Sequence, residues 1–130
     1  MKLTTTGKIV LVLLVFGIII GYLLTPLGFE TRSAHLRSDA IVPFFIANAL
    51  GIPIAALILL FKKPQITGIL MVINAAVELF LVPGDQAGFF FTVAPPARIT
   101  VLEFLSIIVM IGYLLYGPKL YSENEEKTSA

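Results

Sequence analysis

Residues 40–61, AIVPFFIANALGIPIAALILLF, contain no charged side chain, and they are bracketed by Asp39 on one side and Lys62-Lys63 on the other. A bilayer's hydrocarbon core is about 30 Å thick, and a helix rises about 1.5 Å per residue, so about 20 mainly apolar residues make one crossing. The stretch reads as a membrane-spanning helix. Three more obey the same rule. Ile9 to Phe29 is uncharged between Lys8 and Glu30, with its helical part expected to end near Thr25-Pro26. Pro64 to Gly84 holds a single acid, Glu78, and Ile99 to Pro118 a single acid, Glu103. The expected fold is all-α, a polytopic four-helix antiparallel bundle in one membrane domain over residues 1–121. Its spans cover about 9–25, 40–61, 65–83 and 99–118, and residues 122–130 form a disordered tail.

The rest of the composition agrees. Of 130 residues, 58% are hydrophobic and 13% charged, and mean hydropathy is +0.98. A soluble domain carries about 25% charged residues. Nine basic and eight acidic side chains cannot clothe a water-exposed surface of this size, which excludes a soluble enzyme and a disordered chain. A net charge of +1 supplies no basic face for nucleic acid. The absence of cysteine removes disulfides, thiolate metal sites and thiol redox chemistry.

Counting Lys and Arg in short flanks gives the orientation. Lys2, Lys8, Lys62, Lys63, Lys119 and Lys127 fall on the side of the termini, and Arg32, Arg37 and Arg98 on the other. Six against three places both termini in the cytoplasm of a cell-membrane protein. The first span is expected to be retained: its apolar run is long for a signal peptide, and no clean small-x-small cleavage site follows it.

The loops differ in character. The link Lys62-Lys63-Pro64-Gln65 is so short that spans two and three must form an antiparallel hairpin. In loop one, Ser33 to Arg37 is compatible with a helical turn. Loop three opens on Pro83-Gly84-Asp85-Gln86, which reads as turn chemistry, followed by Phe89-Phe90-Phe91 and Pro95-Pro96. Three consecutive aromatics fit either an interfacial or re-entrant segment or a plug on the end of the bundle.

Helices associate in lipid through close packing and interhelical hydrogen bonds, so small residues mark contact faces. Gly17 and Gly21 form a GxxxG in span one, and Ala47, Gly51 and Ala55 repeat that spacing in span two. Internal packing is the favoured use of both, with a dimer face as the alternative. Pro53 cannot donate to the carbonyl of Ala49, so a kink with one freed backbone acceptor is expected there.

Polar groups gather towards the outer half. Thr67, Met71, Asn74 and Glu78 share one face of span three, and Glu103, Ser106, Met110 and Tyr113 one face of span four. From the helical rise, Asn74 lies near the midplane, Glu78 about 6 Å further out, and Asn48 about 12–14 Å deep from outside. Acids inside a span are costly and mark either interhelical hydrogen bonds or a functional site. The candidate ligand or proton site is Glu78, Glu103, Asn74 and Asn48, with Arg98 and Arg37 at the mouth. Glu78 is expected to be balanced by Arg98 or Arg37, or to be carried as the neutral acid. Glu103 is expected to pair with Arg98.

Catalytic signatures are missing. His35 is the only histidine, in loop one near Glu30 and Asp39, and zinc sites use more nitrogen or sulfur ligands than it offers. No HExxH, phosphate loop or nucleophile elbow occurs. The expectation is no catalysis, no cofactor and no metal. Besides the lipid bilayer, the expected partner is another membrane subunit or a second copy. Two roles stay open: a non-catalytic accessory subunit or oligomeric module, and a small-solute, lipid or proton site in the outer half.

Overall fold

A computed structural model of the chain describes residues 3–25 and 32–129, apart from the side chains of Ser33 and of residues 125–129. Lys2 and the loop-one residues 26–31, Glu30 among them, lie outside it. The described chain is helical throughout its long elements: α1 (Thr5–Leu24), α2 (Ile41–Ile46), a π-helical turn (Ala47–Gly51), α3 (Ile52–Leu60), α4 (Pro64–Gln86) and α5 (Ala97–Ser129). A 3-10 turn covers Ser33–His35. Four helical segments, Thr5–Leu24, Ile41–Leu60, Pro64–Gln86 and Ala97–Asn124, are long and apolar enough to cross a membrane.

Local chemistry sets these boundaries. Thr4 caps α1, its side chain accepting from the Gly7 N–H at 3.0 Å, as N-cap threonines do. The α3–α4 link is closed by Lys62 and Lys63 N–H groups donating to the Leu59 carbonyl, and Pro64 opens α4 at a position where its missing N–H costs nothing.

Two boundaries differ from the sequence reading. Pro83-Gly84-Asp85-Gln86 is not a turn but the last turn of α4. Gly88, at φ +83°, is the real stop. The Phe89 N–H bonds the Gly84 carbonyl and the Gly88 N–H that of Asp85, a Schellman closure that needs a left-handed residue at position 88. Nor does the last helix halt near Pro118, with a disordered tail from 122. Its backbone stays helical to Ser129. Good helix formers follow the proline. Glu123 accepts from Thr6 Oγ1 of α1 at 2.7 Å, and Asn124 donates to the Leu120 carbonyl at 2.8 Å.

The helices form a ring in chain order: α1 beside the second crossing, α3 beside α4, and α4 against α5 in the most extensive pairing. Helix α5 returns alongside α1. Val10, Leu14, Ala56, Leu60, Met71, Ala75, Met110 and Tyr113 meet in the centre. Phe80, Phe104, Ile108 and Leu115 point outward and are 62–66% exposed. An apolar surface of that kind is a liability in water and a match for hydrocarbon. This is the build of a small membrane protein.

The small residues divide. A Cβ at Gly17 would fall on the Tyr113 hydroxyl, and one at Gly21 on the carbonyl of Ala49, so this face of α1 carries close internal contacts. Gly68 and Gly117 let the α4 and α5 backbones touch in the same way. Ala47 and Gly51 are exposed and Ala55 half-buried. A Cβ at Gly51 would meet only its own helix neighbour Ala47. At Ala47 and Gly51 that stripe is open on the outside of the bundle.

Candidate functional site

Pro53 shapes the centre of the site. The Ile52 N–H bonds back to the Ala47 carbonyl, five residues earlier, which makes the turn a π turn. Proline offers no N–H to Asn48 in that register. Asn74 of α4 fills the gap: its Nδ2 donates to the Asn48 carbonyl at 2.6 Å and to Asn48 Oδ1 at 3.0 Å. The Asn48 amide then donates from Nδ2 to Glu78 Oε2 at 2.9 Å, and Ser106 Oγ of α5 donates to Glu78 Oε1 at 3.2 Å. Asn48, Asn74 and Ser106 are all buried, and Glu78 is half-buried. Three crossings are joined through one carboxylate.

Nearer the long-loop end sits a second cluster. Arg32 clamps Asp85 with two hydrogen bonds, Nη1 to Oδ1 at 2.8 Å and Nη2 to Oδ2 at 3.0 Å, both side chains only 6% exposed. Its guanidinium lies 3.9 Å from the centre of the Phe91 ring. Glu103, 4% exposed, accepts from Gln86 Nε2 at 2.6 Å and lies beside Asp85. Arg32 Nε is buried with no partner among the described residues.

The two long loops clasp each other over this cluster. Leu36 and Phe91 form an antiparallel bridge, the Thr92 N–H donates to the His35 carbonyl, and the Arg37 N–H donates to the Phe90 carbonyl. The three phenylalanines act as a plug: Phe91 is buried under Arg32, and Phe90 packs edge-on against Phe45 at 5.0 Å. Only Phe89 is exposed.

Between the clusters lies a cavity of about 40 Å³, lined by Thr25, Arg32, Glu78, Asp85 and Glu103 together with apolar groups such as Phe91 and Ile99. A water needs about 10–15 Å³, so there is room for about three. A second void of about 10 Å³ lies deeper, lined by Gly17, Asn48, Asn74, Glu78 and Ser106 among others. Glu78 borders both. Towards the chain termini the interior is Leu14, Met71, Ala75 and Met110. Of its buried hydroxyls, Thr67 donates to the Ala56 carbonyl at 2.7 Å and Tyr113 to the Leu13 carbonyl at 3.4 Å, and at the end of the bundle Thr6 donates to Glu123.

Glu78, Glu103, Asn74 and Asn48 are thus brought to one region, but the two expected arginines are not. Arg37 is exposed and donates from Nε to the Gly88 carbonyl at 2.8 Å. Arg98 is exposed on the first turn of α5. It does not pair with Glu103, because five residues along a helix turn the side chain about 140° away. Nor does either arginine balance Glu78, whose partners are Asn48 and Ser106. The cation at the site is Arg32, and its acid is Asp85. The signal for Asp85 was available: once Gly88 is taken as the helix stop, Asp85 falls on the same α4 face as Glu78, seven residues on. Among the described residues no group of three His, Asp or Glu side chains is placed to hold a metal ion. His35 is exposed and serves through its backbone carbonyl.

No protein-family model matches the chain, and neither a curated protein nor a solved structure matches it significantly.

Proposed function

We propose that this is a multi-pass protein of the cell membrane, both termini cytoplasmic, that binds a small cation in its outer-half pocket without conducting it or catalysing a reaction on it. The observation that carries the reading is the charge count at the cavity. Glu78, Asp85 and Glu103 face one guanidinium, and Arg32 spends both terminal nitrogens on Asp85. Among the described residues Glu78 accepts only from the neutral Asn48 and Ser106, and Glu103 accepts from the neutral Gln86 while sharing a side-chain hydrogen bond with Asp85. Carboxylates in a low-dielectric site call for positive charge. The volume admits a bare or partly hydrated monovalent ion and is too small for a lipid. The apolar interior beyond Met71 and Met110 argues for binding rather than passage. Thermal unfolding of the purified protein tests it, with sodium, potassium or ammonium replacing choline at equal ionic strength. Binding to the folded state raises the midpoint with cation concentration, and Glu103→Gln reduces the rise. A midpoint indifferent to every cation refutes the reading.

A second reading, an accessory subunit or homo-oligomeric module, is favoured by the Ala47–Gly51 stripe that faces away from the bundle. Small residues at this spacing let helices of two chains approach closely. Oxidative cross-linking of Gly51→Cys in membranes gives a dimer if the stripe joins two copies and only monomer if it faces lipid.

A further inference from the structure

We propose that the end of the bundle carrying the chain termini holds anionic phospholipid. Lys8, Lys62, Lys63 and Lys119 form a belt at the edge of the apolar surface, and their ammonium groups meet the phosphates of negatively charged lipids. The proposal is independent of the cation pocket, which lies nearer the other end.

All four lysines are exposed, and each stands at the end of an outward-facing apolar stripe. On α1, Lys8 leads at helical spacing to Val12, Val15, Ile19 and Tyr22. On α3, Ile54 and Ile58 lead to Lys62, and Lys63 stands three residues before the row Ile66, Ile69, Ile73 and Phe80 of α4. On α5, Phe104, Ile108 and Leu115 lead to Lys119. The four positions share one end of the bundle. There Thr6 of α1 donates to Glu123 of α5, Gly68 and Gly117 bring α4 against α5, and Leu60 and Leu120 meet in the core. From Arg98 to Lys119 the axis of α5 rises about 32 Å, close to the thickness of the hydrocarbon layer. A lysine at such a boundary lays its stem along lipid tails and lifts its charge to the headgroups. Lys119 Nζ lies 5.8 Å from the centre of the Tyr116 ring, an amphipathic group suited to the same depth.

The charges of the fold leave this belt in excess. Among the described residues the ion pair is that of Arg32 with Asp85, near the other end. Glu123 is turned inward to Thr6. Glu125 and Glu126 follow on α5 at least about 9 Å beyond Lys119 along its axis, further from the apolar band. Helices α1 and α4 both start at this end, and neither has an acid in its first turn, where a carboxylate would offset the helix dipole. The long-loop end differs: Arg32 is spent on Asp85, Arg37 donates to the Gly88 carbonyl, and the exposed Arg98 is offset by the exposed Asp39. Because the lysines are spread round the bundle, each above a stripe that faces lipid, the anion they meet is a headgroup in the membrane.

Electron spin resonance of the protein in phosphatidylcholine vesicles, probed with spin-labelled phosphatidylglycerol or phosphatidylcholine, tests this. Both leaflets have the same composition, so the direction of insertion does not affect the result. At low salt the protein should immobilise the phosphatidylglycerol label up to about fivefold more strongly, the effect of one lysine beside an anionic surface. Salt at about 1 M, where the Debye length is about 3 Å, should erase most of that preference. Glutamine at all four lysines should remove it, and Arg98→Gln should leave it. If the fourfold variant fails to fold, Lys119→Gln alone and Lys62→Gln with Lys63→Gln should each lower it. The proposal is overturned if both labels are immobilised equally at low salt, if the preference survives high salt or the lysine changes, or if Arg98→Gln abolishes it.

Discussion

Replacing Arg32 by alanine should be among the most damaging single changes in this chain. The guanidinium holds Asp85 through two bonds of 2.8 and 3.0 Å, with both side chains 6% exposed, so screening by water does not soften the loss. Removing one partner of a buried pair leaves the other as an uncompensated charge and costs about 3–5 kcal/mol. Asp85 is poorly placed to bear it, because it sits in the last turn of α4, where the helix dipole is negative. The contact with the Phe91 ring at 3.9 Å goes as well, worth about 2 kcal/mol when desolvated. At about 4 °C per kcal/mol for a chain of this length, the unfolding midpoint should fall by more than about 10 °C. Thermal unfolding in one detergent of wild type, Arg32→Ala, Asp85→Ala and the double variant completes the cycle, and the double should be much less damaged than the sum of the singles. Arg32→Met with Asp85→Leu should recover most of the loss, since apolar replacements of a buried pair are often neutral or stabilising. Single variants that each cost under about 1 kcal/mol and add in the double would show that the pair is solvated, and the account of the pocket would fall with it.

Three further outcomes follow from the same geometry and are read by the same unfolding measurement. Glu78→Gln keeps an acceptor within the Asn48–Ser106 bracket and should leave stability within about 1 kcal/mol, whereas Glu78→Leu strands both donors and should cost about 1–3 kcal/mol; equal stability of the two would remove Glu78 from the polar interior. Gly21→Ala drives a methyl into the Ala49 backbone and should destabilise by about 1–3 kcal/mol, while Gly51→Ala, with only Ala47 within reach, should be neutral in the monomer; a reversed order would mean that the second crossing is rotated from its described position. Asn74→Leu should cost about 1–3 kcal/mol by uncapping the Asn48 carbonyl, and Asn74→Asp should not rescue it, since a carboxylate has no N–H to give.

How much of this was legible in the sequence depends on how far apart the interacting residues lie. The crossings were readable because twenty-odd apolar residues between charges is a local pattern, and the hairpin at Lys62-Lys63 followed from loop length alone. The ends of α4 and α5 were not. Pro83-Gly84 carries every mark of a turn, yet the Schellman closure depends on which glycine takes the left-handed conformation, and Gly88 does so four residues after Gly84. The acids were found because a charge inside an apolar run stands out against its neighbours. The ion pair was missed because Arg32 and Asp85 lie 53 residues apart, each in a polar context where a charge needs no explanation. Pairing each acid with the nearest arginine in sequence favoured Arg98 for Glu103, whereas the ring of helices sets Gln86 against it.

Pro53 marks the line between what local chemistry dictates and what tertiary packing decides. A proline in mid-helix must free an acceptor, and that much follows from its missing N–H. Which carbonyl is freed follows from the register around it. In an α-helix it is Ala49, four residues back. Once Ile52 bonds to Ala47 across a π turn, it is Asn48 as well. In the fold, each of these carbonyls meets a particular feature of a neighbouring helix. That of Ala49 lies where a side chain on Gly21 would stand, and that of Asn48 takes the amide of Asn74. The helix thus turns a backbone defect into two specific contacts, one with α1 and one with α4. Fixing Asn48 in this way also aims its side-chain amide at Glu78. The position of Glu78, the only carboxylate among the described residues that borders both voids, is therefore set by a proline that does not line their larger chamber.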